Sequence, residues 1–347
     1  MTTPQDVPEV IRVIDGFRAD LMRGEARAAT QLVRAYGPIY SRLATDIDVL
    51  LAQVESQQLT INQTLKLNRL QAIQRQIEAE LATFSEFAQG TIGRAQANAV
   101  SLSQLRNQRV VSAALPPGLN LELLDSVGIT WNQLPATAVE SMVGFSGDGA
   151  PLANLLDPLG PEVRAGVTQE LTDGIARGRS PRESARLIRN RFGMGLTRSL
   201  RISRTEQLRS YREATRLSYQ QNSNIVKGYT RHASKDARTC MACLALDGKR
   251  YPLSVPLNEH VQGRCALVPD TIQYSDLGLN VPSPVTRREL GPDWFNRQTP
   301  GAQLDMMGPR RYKAWNSGEF NFTDQAKIVS NSTWGESAIV KPLKELI

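Results

Sequence analysis

All three cysteines of this 347-residue chain, Cys240, Cys243 and Cys265, and one of its two histidines, His260, fall in one stretch, DARTCMACLALDGKRYPLSVPLNEHVQGRCALVP. Thiolate and imidazole are the donors that hold a tetrahedral zinc ion. Cys240 and Cys243 form a Cys-x-x-Cys knuckle in which two thiolates reach one ion. After a loop of 16 residues, His260 and then Cys265 complete a Cys3His set. An ion held by four protein ligands has no open position, so the chemistry expected is structural. Two other readings stay open: thiols and imidazole packed around a compact hairpin that turns at Asp247-Gly248, and redox exchange through the Cys-x-x-Cys pair.

A second group is cationic. Between Ile175 and Arg216 twelve arginines and no lysine stand against Glu183, Glu206 and Glu213, a local excess of nine positive charges in a chain of net charge +7. On a helix, Arg198, Arg201, Arg209, Arg212 and Arg216 share an arc of roughly 80°, with Leu200, Tyr211, Ala214 and Leu217 opposite. Such a face is either solvated and laced with ion pairs, or it meets an acidic protein surface or the DNA backbone. Nothing in it reads bases. Within the block, SRTEQ at 203–207 reads as a buried, hydrogen-bonded arrangement joining the helix to the following strand. A lone glutamate without nucleophile, nucleotide loop or second carboxylate gives no mechanism, so no enzyme is expected.

The elements that position these groups are mainly helical. Apolar residues step by three and four from Val10 through Ile14, Phe17 and Leu21, again from Leu32 to Val54, and again from Leu70 to Phe84. The pattern predicts long helices over about 8–110, with breaks or kinks at Gly24, Gly37-Pro38 and Gly90. It fits either a bundle with ordinary core stripes or a docking arm whose stripe is covered by a partner or a sister copy. ALPPGLN from Ala114 marks a boundary. Ser180, Pro181 and Glu183 open a helix through a capping box. That helix is expected to stop at RFGMG, with Gly193 past its end, and a second to run from about Thr197 to Gln221. NIVKGYTRHAS then has strand character. Past Pro282, Trp294, Trp315 and Trp334 suggest a segment wrapped over a surface and pinned by large rings.

Composition sets the bounds. The chain is too long for one ordinary core, and 41% hydrophobic with 22% charged residues fits a folded protein. No apolar run is long enough to span a bilayer, so no membrane is expected. The first residues, MTTPQDVPEV, do not resemble a secretory leader, which places the chain in a reducing, bacterial-type cytosol where clustered cysteines favour metal over disulfide.

Three pieces in order, ISRTEQLRSYREAT, YTRHASKDARTCMACLALDGKRYPL and HVQGRCALVP, resemble the head morphogenesis, or minor head, proteins of tailed bacteriophages, the phage Mu protein F-like family. The likeness covers about 170–270, and the tail, GPDWFNRQTPGAQLDMMGPRRYKAWNSGEF then WGESAIVKPLKEL, resembles the extension of many such proteins. Many members carry Cys-Arg-Cys after the histidine, whereas Gly263 takes the first of those places here, which leaves the four-ligand set no spare cysteine. The resemblance implies a minor structural protein bound at the portal vertex inside the capsid, acting in head assembly and in genome packaging or ejection. It also implies a host-cytoplasmic stage, the portal oligomer as partner, and contact with major capsid or scaffolding protein and with packaged double-stranded DNA. A toxin or effector enzyme carried on a phage head module, or a free non-specific DNA-binding protein, are the alternatives. The expected fold is mainly α with a small α+β module. Four regions are expected: an extended helical docking region (1–113), a helical connector (114–170), the Mu F-like module with its zinc (171–270) and a wrapped C-terminal extension (271–347).

Overall fold

The computed structural model describes residues 7–55, 63–146, 149–176, 181–280, 288–331 and 334–347. The fold is mainly α with a small α+β module. Two long helices open it, α1 (Glu9–Glu55) and α2 (Gln63–Ala114). Short helices α3 (Leu121–Ser126), α4 (Ala136–Glu140) and α5 (Ala153–Leu156) lead to α6 (Leu159–Ala176) and the 41-residue α7 (Pro181–Gln221). The small sheet and its cover follow: β1 (Val226–His232), α8 (Met241–Ala245), β2 (Arg250–Tyr251) and β3 (Ala266–Thr271). The chain ends with α9 (Gly291–Asn296), α10 (Pro300–Met307), α11 (Pro309–Asn316) and the hairpin β4 (Ala326–Asn331) with β5 (Gly335–Val340). Among the described residues no helix is long and apolar enough to cross a membrane.

The expected breaks are not breaks. Gly24 and Gly37-Pro38 lie inside α1, Gly90 inside α2, and Gly193 inside α7, so the two helices expected on either side of RFGMG are one. The physical reason is that the apolar stripe continues past each of them into buried positions, and burial of a continuous face outweighs the roughly 1 kcal/mol by which a glycine, and the roughly 3 kcal/mol by which Pro38, disfavours a helix. Leu21 and Ala28 are buried on the two sides of Gly24, as are Tyr36 and Ile39 around Gly37-Pro38 and Phe192 and Ile202 around Gly193. The expected cap at Ser180 lies outside the described residues, as do the side chains of Leu50, Val54 and Leu70.

Packing divides the chain into two compact units. One comprises Gly24–Ala95 and Gly144–Gln207. Its core holds Leu32, Leu43, Ile77, Leu81, Phe84 and Phe192. The Tyr36 and Phe84 rings meet edge to face at 4.8 Å, and the Tyr36 hydroxyl donates to the Phe192 carbonyl at 2.6 Å. The other comprises Met1–Arg23, Gln96–Val143 and Leu208–Ile347. Here Val10, Ile11, Ile14 and Phe17 of α1 pack on Val110 of α2 and on Ala266 and Val268 of β3. The first stripe is therefore consumed inside this chain, as the bundle reading requires, and is not held open as a docking arm.

The second unit carries the sheet, antiparallel throughout in the order β2-β1-β3. Gly248, at φ +91°, makes the turn expected at Asp247-Gly248, closed by the Lys249 amide on the Leu246 carbonyl at 3.1 Å. The C-terminal segment is pinned by rings. Phe295 is fully buried against Trp315 and Phe322, and Trp294 and Trp315 are half-buried on the same core. It closes over α8, which touches α9, β4 and β5. A Cβ at Gly291 would fall 2.2 Å from the Leu244 carbonyl oxygen, so only glycine lets α9 approach α8 so nearly.

Candidate metal centre

The Cys-x-x-Cys knuckle is the N-terminus of α8. Cys240 is the N-cap, in extended backbone at φ −71° and ψ 155°, and its sulfur accepts the Cys243 amide at 3.4 Å. That cap brings the two Sγ atoms to 3.2 Å. The loop after β2 brings His260 to the knuckle and Cys265 to Cys243, so the predicted ligands fall into two overlapping groups and not one: Cys240, Cys243 and His260, and Cys243, Glu259 and Cys265, the donor atoms of each group lying within 4.8 Å of one another. Cys243 belongs to both.

The donor set fits a metal ion. The His260 Nδ1 lies 2.8 Å from the Val261 carbonyl, which can only accept, so Nδ1 carries the proton and Nε2 keeps a lone pair for an ion. The charges fit as well. Arg231 and Arg212 are 0% and 7% exposed, and Glu259 is the carboxylate they share. Arg231 donates to Glu259 Oε1 at 2.8 Å and to the Cys243 sulfur at 3.5 Å, and Arg212 donates to the Gly263 carbonyl at 2.9 Å. Two buried cations against one carboxylate leave one positive charge over, and buried charge is retained where it is paired. A dication held by three thiolates and a neutral imidazole carries one negative charge and balances it.

The surroundings set the state of each group. Burial pushes the Glu259 carboxyl up, but nearby positive charge, that of Arg231 foremost and then of Arg212, outweighs it and holds it at about 2. Donating hydrogen bonds within the thiol cluster, together with burial, push Cys243 and Cys265 well above the usual thiol range, while the bond from Cys243 lowers Cys240. Without an ion the two buried sulfurs are thiols, and an ion is what would hold them as thiolates.

Reading only soft donors missed Glu259 and Arg231. Glu259 adjoins His260 in sequence and could have been weighed as an oxygen donor. Arg231 alternates with His232 along β1, and nothing local to the chain marks it as one of the largest fully buried side chains.

The predicted arginine face has a different fate along its length. Arg212 and Arg216 are buried. Arg216 pairs with Glu213 at 2.6 Å and donates to the Leu253 carbonyl at 2.5 Å. Arg198 pairs with Glu162, and its neighbours on α7, Arg189, Arg191 and Arg204, pair with Asp48, Glu170 and Glu25. Arg209 is half-buried and Arg201 exposed. Much of the excess seen along the chain is thus answered by acids from other segments. Thr205 and Glu206 are buried as SRTEQ suggested, but Arg204 reaches Glu25 on α1 and not the strand.

Residues 165–268 match the family model for Phage Mu protein F like protein, a stretch that begins in α6, ends in β3 and holds every member of the cluster. No curated protein and no solved structure matches the chain.

Proposed function

With the Phage Mu protein F like match over residues 165–268 as premise, we propose that the chain is a minor structural protein of a tailed-phage head, bound to the portal oligomer at the portal vertex inside the capsid. It acts there in head assembly and in packaging or ejection of the genome, alongside major capsid or scaffolding protein. The observation that carries the reading is that the matched stretch and the Cys/His cluster coincide. Quantitative mass spectrometry of purified procapsids and virions tests it. The chain should be present at far lower copy than the major capsid protein and co-purify with portal rings after mild disruption. Its absence from both particles would sink the reading and leave a free toxin or DNA-binding protein as the outcome.

Within that role the module carries a structural zinc ion on Cys240, Cys243, His260 and Cys265. Contact with packaged DNA is electrostatic and without base preference. A net charge of +7 and the exposed Arg201 support it. Because Arg212 and Arg216 are committed to internal bonds and Arg198 to Glu162, about one phosphate is engaged, at Arg201, and the log–log salt slope on duplex DNA should be near −0.9. Fluorescence anisotropy at several salt concentrations reads the slope, and Arg201→Gln should flatten it by about 0.9. An unchanged slope in the variant would assign the face to protein or solvent.

A further inference from the structure

Glu259 has a place in the cluster that neither the cysteine spacing nor the family match assigns. Its side chain is 0% exposed, and Oε1 lies 3.3 Å from the Cys243 sulfur. That oxygen is already satisfied by Arg231 at 2.8 Å and by the His260 amide at 3.1 Å. Oε2 is buried with no hydrogen-bond partner among the described residues. A buried ionised oxygen is normally paired or bound to a metal.

The space it fills exists because residue 263 is glycine. A Cβ at 263 would lie 2.0 Å from Glu259 Cγ and 2.4 Å from Cδ. Gly263 is not in the left-handed backbone region, so the absence of a side chain there answers to volume and not to backbone conformation. Glutamate 259 and glycine 263 therefore act as a pair, one supplying the carboxylate and the other the room for it beside the thiols.

We propose that Glu259 is a direct ligand of the ion, adding an oxygen to the three sulfurs and the imidazole nitrogen. The inference rests on the zinc centre proposed above. Arg231 then both neutralises the carboxylate and aims it, and the shell has five donors, one more than structural zinc sites nearly always use.

The test uses the full chain loaded with zinc, and with cobalt(II) as a spectroscopic stand-in. X-ray absorption of the zinc protein should count three sulfurs at about 2.3 Å and two nitrogen or oxygen donors at about 2.0–2.2 Å. The cobalt protein should show the weak d–d absorption of five-coordinate cobalt. Glu259→Gln should convert it to the stronger absorption of a four-coordinate site and weaken zinc binding by at least tenfold. Loss of affinity alone, about 10- to 100-fold, would also follow from a carboxylate that merely supports the shell, so the spectrum decides. Since Glu259→Gln strands Arg231 and can unfold the module, Gly263→Ala provides the second variant. It keeps every charge and every donor but evicts the carboxylate from its place, and should give the same spectral change. One light donor in the wild-type zinc protein, with unchanged cobalt spectra in the folded variants, overturns the assignment while leaving the zinc centre standing. A wild-type chain that takes up no metal overturns the zinc centre itself.

Discussion

Arg231 and His232 are neighbours on β1 whose side chains leave opposite faces of the strand and meet different chemistry. Arg231 goes to Glu259 in a pair whose side chains are 1% and 0% exposed. Removing one partner of such a pair leaves the other charge buried alone, so Arg231→Ala should cost about 3–5 kcal/mol in urea unfolding of the full chain. A loss below about 1 kcal/mol would mean that the carboxylate finds water or another donor. His232 lies across the strand, its Nε2 3.3 Å from Asp15 of α1, with Lys235 at 3.4 Å from Nδ1, Asp247 at 3.9 Å and Arg18 on its carbonyl. Burial lowers it to about 4 despite the bond to Asp15. The unfolded chain takes up this proton near 6.5 and the folded chain only near 4. The folded state is therefore favoured in full above 6.5, and loses that advantage as pH falls from 6.5 to about 4, by ~3 kcal/mol. Unfolding midpoints across that window should fall in the wild type and fall much less in His232→Gln. At this scale the sequence was legible where residue type alone decides, as in the gathering of the cysteines and His260 into one neighbourhood. It was not legible for Arg231, Arg212 and Arg216, because whether a charged side chain is buried depends on partners 28, 51 and 37 positions away.

Among the elements, α7 shows where propensity and packing disagree. Its two central glycines are alike in sequence and unlike in space. Nothing lies within 4 Å of a Cβ added at Gly193, whereas one at Gly195 would meet Leu159 Cδ2 at 2.9 Å and the Tyr36 hydroxyl at 3.0 Å. Gly193→Ala should raise stability by about 0.5–1 kcal/mol, the helix preference of alanine over glycine. Gly195→Ala should lower it, because the same gain is set against a crowded core. Equal effects in thermal melts would show that the helix is not packed as described. The period of the stripes made the long helices readable, and the β-favouring run made β1 readable. The ends were not, since glycine and proline mark breaks only where no buried face runs through them.

For the whole molecule the proposed zinc centre makes a measurable demand. Its helix, α8, lies beneath the C-terminal segment, and its candidate ligands join α8 to the loop before β3. Metal and fold should then be coupled, with about one zinc per chain as purified. A chelator should lower the melting temperature and raise amide exchange in 226–347 before it does so in the unit built from Gly24–Ala95 and Gly144–Gln207. Cys243→Ser should reproduce the chelator. Equal exchange with and without metal would leave the cluster a packed group of thiols.

The pairing of Val10, Ile14 and Phe17 with Ala266 and Val268 also sets a clock. These residues are separated by some 250 positions, and translation at about 5–20 residues per second leaves the first stripe without its strand for roughly 12–50 s. The other unit draws only on residues up to Gln207 and can close in that interval. Each newly made chain thus passes through a stage in which one half is folded and its leading helix still offers a bare apolar edge to chaperones or to a second nascent copy.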